Sequence, residues 1–167
     1  MARAIIRWGV AVCMAACSIM GSAQGLSQIK LEDNEEEARK SLHDRILARG
    51  FEATIEDNVV IYTHQNMVTN IRPLVFPGEF DRLLVSTWFN AKEAYRTGGK
   101  LKALAVELNA AQNMLRVFAT DDGSLAISGS MTFVDVLSAR EFDLFMDLYG
   151  TVIRQHILTP EALDILD

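Results

Sequence analysis

Apolar residues recur at helical spacing in three stretches of the chain and gather into short β-branched runs between them. The first helical stretch covers about Asn34 to Arg49, where Ala38, Leu42 and Ile46, with Leu47 beside them, form one stripe. Glu35, Glu36 and Glu37 fill its first turn and Arg45 and Arg49 its last, which suits the helix dipole at both ends. Gly50 stands where the chain leaves the helix, a position that favours glycine. From Phe51 to Phe89 the pattern turns to β. Val59-Val60-Ile61-Tyr62 predicts a strand entered through an Asp57-Asn58 turn. Asn70 to Phe76 predicts a second, assigned to an edge or a bulge by Pro73, which brings no N–H to a ladder. Pro77-Gly78 marks a turn, and Leu83 to Phe89 is the third and most apolar strand.

A second helix is predicted over Gly99 to Gln112, with Leu101, Leu104, Ala105, Leu108 and Ala111 on one face. Leu115 to Thr120 and Ser124 to Phe133 read as strands joined at Asp121-Asp122-Gly123, because glycine takes the positive φ that a tight hairpin needs. Ser138 and Glu141 have the spacing of a capping box. The helix they open carries Phe142, Phe145, Leu148, Tyr149, Val152 and Ile153 on a broad apolar face. Thr159-Pro160 starts a short final turn in a tail over 159–167. The order is α-β-β-β-α-β-β-α. Hairpins flanked by helices imply an α+β fold, a mostly antiparallel sheet of about five strands with two to three helices packed on it.

Residues 1–23 have the form of a secretory leader. Arg3 and Arg7 precede an uncharged run from Trp8 to Met20, and Gly21-Ser22-Ala23 supplies small residues for cleavage between Ala23 and Gln24. The run is thirteen residues long, about 20 Å as a helix, too short for a ~30 Å hydrocarbon core. Met14-Ala15-Ala16-Cys17 offers a second route, lipidation at Cys17. A periplasmic or secreted location follows from the first route and a lipid-anchored one from the second. Residues 24–33 read as a polar linker and 34–158 as the folded domain. Both cysteines, Cys13 and Cys17, lie in the leader, so cleavage after Ala23 leaves no thiol for a disulfide, a nucleophile or a zinc site.

Charge narrows the partners. The net charge is −6, and loss of Arg3 and Arg7 with the leader lowers it by two more. Nucleic acid is disfavoured, since its affinity comes mainly from lysine and arginine on phosphates. Membrane insertion after processing is not expected.

The residues at hand resemble the YbjN domain family, bacterial proteins often labelled sensory transduction regulators. The likeness lies in the first helix running through Gly50-Phe51-Glu52 into strands, in Leu108-Asn109-Ala110-Ala111-Gln112-Asn113 between helix and strand, and in the Asp-Gly hairpin followed by Ser138-Ala139-Arg140-Glu141-Phe142. It spans about Glu35 to Ile157. The family usually has an aromatic residue where Leu108 stands. The resemblance implies a fold like that of type III secretion chaperones and a binding or chaperone-like domain, often dimeric, with no catalytic residues to carry over.

Chemistry-bearing patterns are few. His43, His64 and His156 lack the spacing of a metal site, and no metal or cofactor is expected. Gly98-Gly99-Lys100 fails as a phosphate loop, because Ala94 and Leu101 stand where glycine and Ser or Thr are required. No catalytic residue is assigned. Trp88 and Phe89 are candidate contacts for a protein partner of unknown identity, with Phe76 and Phe80 as further apolar candidates. Asn109 and Asn113 are candidates to bind through their amides or, alternatively, to cap the helix end. The expected function is a non-enzymatic exported protein-binding or chaperone-like module, with a homodimer expected. The alternatives are a small-molecule or lipid carrier, which needs a cavity of at least ~300 Å3 between sheet and helices, and an unrecognised hydrolase, which needs a polar cluster in a cleft.

Overall fold

A computed structural model describes residues 28–30, 34–64, 66–76, 80–134 and 136–167. The leader, the Ala23–Gln24 pair and Cys17 lie outside the described residues. The chain runs through β1 (Gln28–Lys30), α1 (Glu35–Ala48), β2 (Glu52–Glu56), β3 (Val59–His64), β4 (Met67–Leu74), β5 (Asp81–Asn90), α2 (Glu93–Arg96) and α3 (Gly99–Ala111). It continues through β6 (Arg116–Ala119), β7 (Ser124–Phe133), β8 (Val136–Ser138), α4 (Ala139–Val152), a π-helical turn (Ile153–Ile157) and α5 (Pro160–Leu163). Six strands form one antiparallel sheet in the order β2-β3-β4-β5-β7-β6, and β1 pairs with β8 in a separate two-stranded sheet. The α+β expectation holds, with six strands in the main sheet in place of about five.

Alternation decides which side of the sheet is covered. Val60, Tyr62, Thr69, Ile71, Leu83, Val85, Thr87, Leu125 and Ile127 point one way and are buried. Above them lie Ala38, Leu42 and Ile46 of α1, Leu101, Leu104 and Leu108 of α3, and Phe142, Met146 and Tyr149 of α4. Polar atoms in this core are paired. Thr69 and Thr87 share a hydrogen bond of 3.1 Å, and the Tyr149 hydroxyl is hydrogen-bonded to Thr87 Oγ1 and to the Ile127 carbonyl, each at 3.1 Å. Tyr62, Thr69, Thr87 and Ile127 are cross-strand neighbours in one row, so the hydroxyls form a buried polar line across the sheet.

Three sequence expectations change. β4 is interior, not at an edge. Pro73 is tolerated because the β3–β4 pairing ends at Ile71 while β4 continues against β5, Pro73 facing Leu83; no ladder bond to β3 is asked of it. Glu52–Glu56, which is charged at both ends, pairs with β3 as an edge strand. Asp57 and Asn58 join the two with positive φ of 43° and 68°, the geometry of a two-residue hairpin turn that asparagine and aspartate accept. At the other end, the tail folds back. α5 is capped by Thr159, Ala162 and Leu166 are buried, and the Asp167 amide donates to the Asn90 carbonyl at 2.8 Å.

The capping box forms as its spacing suggests. Glu141 N–H donates to Ser138 Oγ at 3.1 Å, and Ser138 N–H donates to the Glu141 carboxylate at 3.2 Å. Ser138→Ala is expected to cost about 1 kcal/mol; an unchanged urea midpoint would show that β8 and the core hold this end of α4 without it.

Candidate functional site

The second face of the main sheet is built by the residues that alternate with the core. Registers place Trp88 opposite Ala126 and Ala126 opposite Phe118. Val68 precedes Thr69, which faces Thr87, so it stands beside Trp88 in the same outward row. Val68, Trp88 and Phe118 are 51%, 46% and 48% exposed while Ala126 between them is buried. A large apolar row therefore crosses four strands, about 14 Å at the usual spacing. Isolated exposed apolar side chains are normal; three aligned around a small one form a patch.

The rows beside it are polar. Asn70, Ser86, Ser128 and Arg116 share the next outward row, followed by Arg72, Leu84 and Ser130, and then by Arg82 and Thr132. Arg72, Arg82 and Arg116 are all exposed. No motif marks them in the sequence, although each alternates with buried neighbours along its strand.

The apolar candidates do not converge. Trp88 is on the open face, whereas Phe89, its neighbour in sequence, points the other way and packs half-buried against the core. Phe76 and Phe80 are 43% and 66% exposed but stand at the opposite end of β5, roughly 25 Å from Trp88. Asn109 is occupied with backbone. Its amide donates to the carbonyls of Ala105 and Val117 at 2.8 and 2.5 Å, and its oxygen accepts from Val117 N–H at 2.9 Å. Gln112 serves Met114 and Leu115 in the same way. These amides stand in for a missing strand along β6 and blunt its edge. Asn113 is exposed.

A shallow cleft opens where the end of α1, the β2–β3 hairpin and α4 meet. Arg49, Phe51, His64, Asp147 and Gly150 line it, and it holds about 30 Å3, room for one or two waters. The Arg49 guanidinium lies 5.1 Å from the Phe51 ring centre and bonds Asp147 at 2.6 Å. Phe51 in turn meets His64 at 4.4 Å between centroids. Arg45 grips the Asp143 carboxylate with two donors, so α1 and α4 are clamped side by side. Burial raises the Tyr62 hydroxyl above its ordinary pKa, against the opposing pull of Arg49 and the hydrogen bond to Thr69. Among the described residues no group of three or more His, Cys, Asp or Glu is placed to hold a metal ion.

The arrangement of strands and helices matches the crystal structure of YbjN from E. coli, described as a proposed transcription regulator, with a TM-score of 0.60 over 77% of this chain and 94% of that one, at 16% identity. The chain has the YbjN fold. An uncharacterized protein from Methanothermobacter thermautotrophicus aligns at a TM-score of 0.47 and 12% identity, over 71% of this chain and 93% of that one. No family model matches the sequence, and no curated protein does. At this identity the YbjN likeness speaks for architecture alone.

Proposed function

We propose that this YbjN-fold domain is a non-enzymatic protein-binding module, acting outside the cytoplasm after loss of its leader and holding its partner on the open sheet face. The observation that carries this reading is the aligned, exposed row of Val68, Trp88 and Phe118. Tryptophan and arginine dominate the energetics of protein interfaces, and this face has both. The carrier alternative is less well supported, since the cleft under α4 holds about 30 Å3, a tenth of what a small ligand needs.

Trp88→Ser is expected to weaken partner binding about 30-fold, a hot-spot loss of roughly 2 kcal/mol. Because the side chain is 46% exposed, the thermal midpoint should move little. Processed protein, which on this reading begins at Gln24, would be immobilised beside the variant and exposed to periplasmic extract. A protein retained by the first and lost by the second supports the proposal; identical retention by both refutes it. Light scattering on the same material reads whether Leu144 and Leu148, 56% and 46% exposed on α4, bring two copies together.

A further inference from the structure

We infer that the open face takes an acidic segment with spaced apolar side chains, its carboxylates held by Arg72, Arg82 and Arg116 and its apolar groups by Trp88 and Phe118. This rests on the reading of that face as a protein-binding surface and specifies the chemistry of the partner.

The chain has 22 acidic residues against 16 basic ones, so an arginine here has carboxylates in plentiful supply. Arg45, Arg49 and Arg96 each face one, in Asp143, Asp147 and Asp167. Among the described residues, Arg72, Arg82 and Arg116 make no ion pair or hydrogen bond. The outward positions of β4, β5, β6 and β7 contain these three arginines and neither Asp nor Glu. The acids of this face stand at one edge: on β2, Glu52 lies in line with Trp88 through Thr63 and Val68, and Glu56 faces Val59, two strands away from Arg72.

Geometry adds direction. Arg72 faces Leu84 and Arg82 faces Leu74, which makes the two arginines diagonal neighbours, roughly 7–8 Å apart at Cα. Their like charges repel until an anion lies between them. Arg116 stands two residues from Phe118 on β6 and in register with Ser128. The floor between the arginines carries Asn70, Ser86, Ser128 and Ser130, all short and polar, with Leu84 as the apolar side chain among them. A guanidinium matches a carboxylate with two parallel donors. The acidic bulk of the molecule does not forbid this, since charges beyond about 8 Å are largely screened at physiological salt. Nucleic acid fits less well: its binding draws on many phosphate contacts along a strand, and three separated arginines in a chain of net charge −6 do not trace one.

The test uses fluorescence anisotropy of labelled probes with the purified chain. One probe is a twelve-residue peptide alternating Glu with Leu and Phe; a second has every Glu replaced by Gln; a third is a single-stranded oligonucleotide of the same length. The acidic peptide should bind at least tenfold tighter than its Gln counterpart at low salt, with the margin shrinking as salt rises. The triple variant Arg72→Gln, Arg82→Gln, Arg116→Gln should lose that margin yet keep its grip on the Gln peptide, whereas Trp88→Ser should weaken both. Should the triple variant fold poorly, Arg72→Gln alone should cut the margin about threefold. Equal binding of the two peptides overturns the acidic partner and leaves a protein-binding face standing. Binding of neither peptide overturns both readings. Preference for the oligonucleotide, or self-association that the triple variant abolishes, names a different occupant and overturns the proposal.

Discussion

Truncating Tyr149 to Ala is expected to lower the unfolding free energy by about 3–5 kcal/mol, and Tyr149→Phe by about 1–2 kcal/mol, in urea titrations followed by far-UV circular dichroism. The ring is 1% exposed and lies against the sheet at Gly129, where an added Cβ would meet Tyr149 Cδ2 at 3.2 Å and Leu115 Cδ2 at 3.1 Å. The absence of a side chain at Gly129 lets α4 sit this close. The alanine variant leaves a cavity under α4; the phenylalanine variant removes only the hydrogen bonds to Thr87 and the Ile127 carbonyl. Domains of this kind are stable by about 5–15 kcal/mol, so the larger loss approaches unfolding. An alkaline signature accompanies it. Burial raises the Tyr149 phenol above its ordinary value of 10.0, as it does for Tyr62. Below pH 10 both states keep their phenol protons. Above it the unfolded chain releases protons that the folded chain retains, so stability falls as pH rises, by up to about 1.4 kcal/mol per pH unit for each group. Tyr149→Phe should make that fall shallower. Equal cost for the Phe and Ala variants would mean that packing at Gly129 contributes little and that the hydroxyl accounts for the whole loss.

What the sequence disclosed and what it hid divide along the range of the interactions concerned. α4 could be read from Ser138, Glu141 and its apolar spacing because a capping box closes within one turn. The β6–β7 hairpin could be read because Gly123, with φ of 83°, needs only its neighbours to turn. β2 was hidden: Glu52-Ala53-Thr54-Ile55-Glu56 has little β character of its own and is held by pairing with β3. The Asp57-Asn58 turn was the available signal, since a two-residue hairpin requires a strand on each side. Pro73 misled for a related reason. Its edge preference is real, but the edge is local, where β3 stops short of it. The candidate face shows the same limit more sharply. Trp88 stands out as a large apolar residue, but only register joins it to Phe118, thirty positions on, and to Arg72 and Arg116 on two other strands. Asn109 drew attention as a possible ligand-binding amide; knowing that β6 has an open edge beside it is what explains the bonds it makes to Val117.

Ile29→Ala is expected to cost about 2–5 kcal/mol, a large effect for a residue in a segment that reads as polar linker. Ile29 is 1% exposed, pairs with Leu137 in the two-stranded sheet of β1 and β8, and belongs to the same core as α1. Its loss empties a site in that core beside Leu137. Val136→Ala, at a position 41% exposed on the facing strand, should stay within about 0.5 kcal/mol and serves as the control. The position of β1 also bears on processing. Cleavage after Ala23 leaves four residues before Gln28, whereas lipidation at Cys17 leaves ten between the anchor and the strand, at most about 35 Å of extended chain. The second route would therefore keep the open face close to a membrane surface, and the first would release it. Urea midpoints for Ile29→Ala, and for a chain starting at Asn34, decide whether β1 is structural. If both match the parent within about 0.5 kcal/mol, β1 contributes nothing, the folded unit begins at Asn34, and the distance from leader to domain sets no constraint on where the face can work.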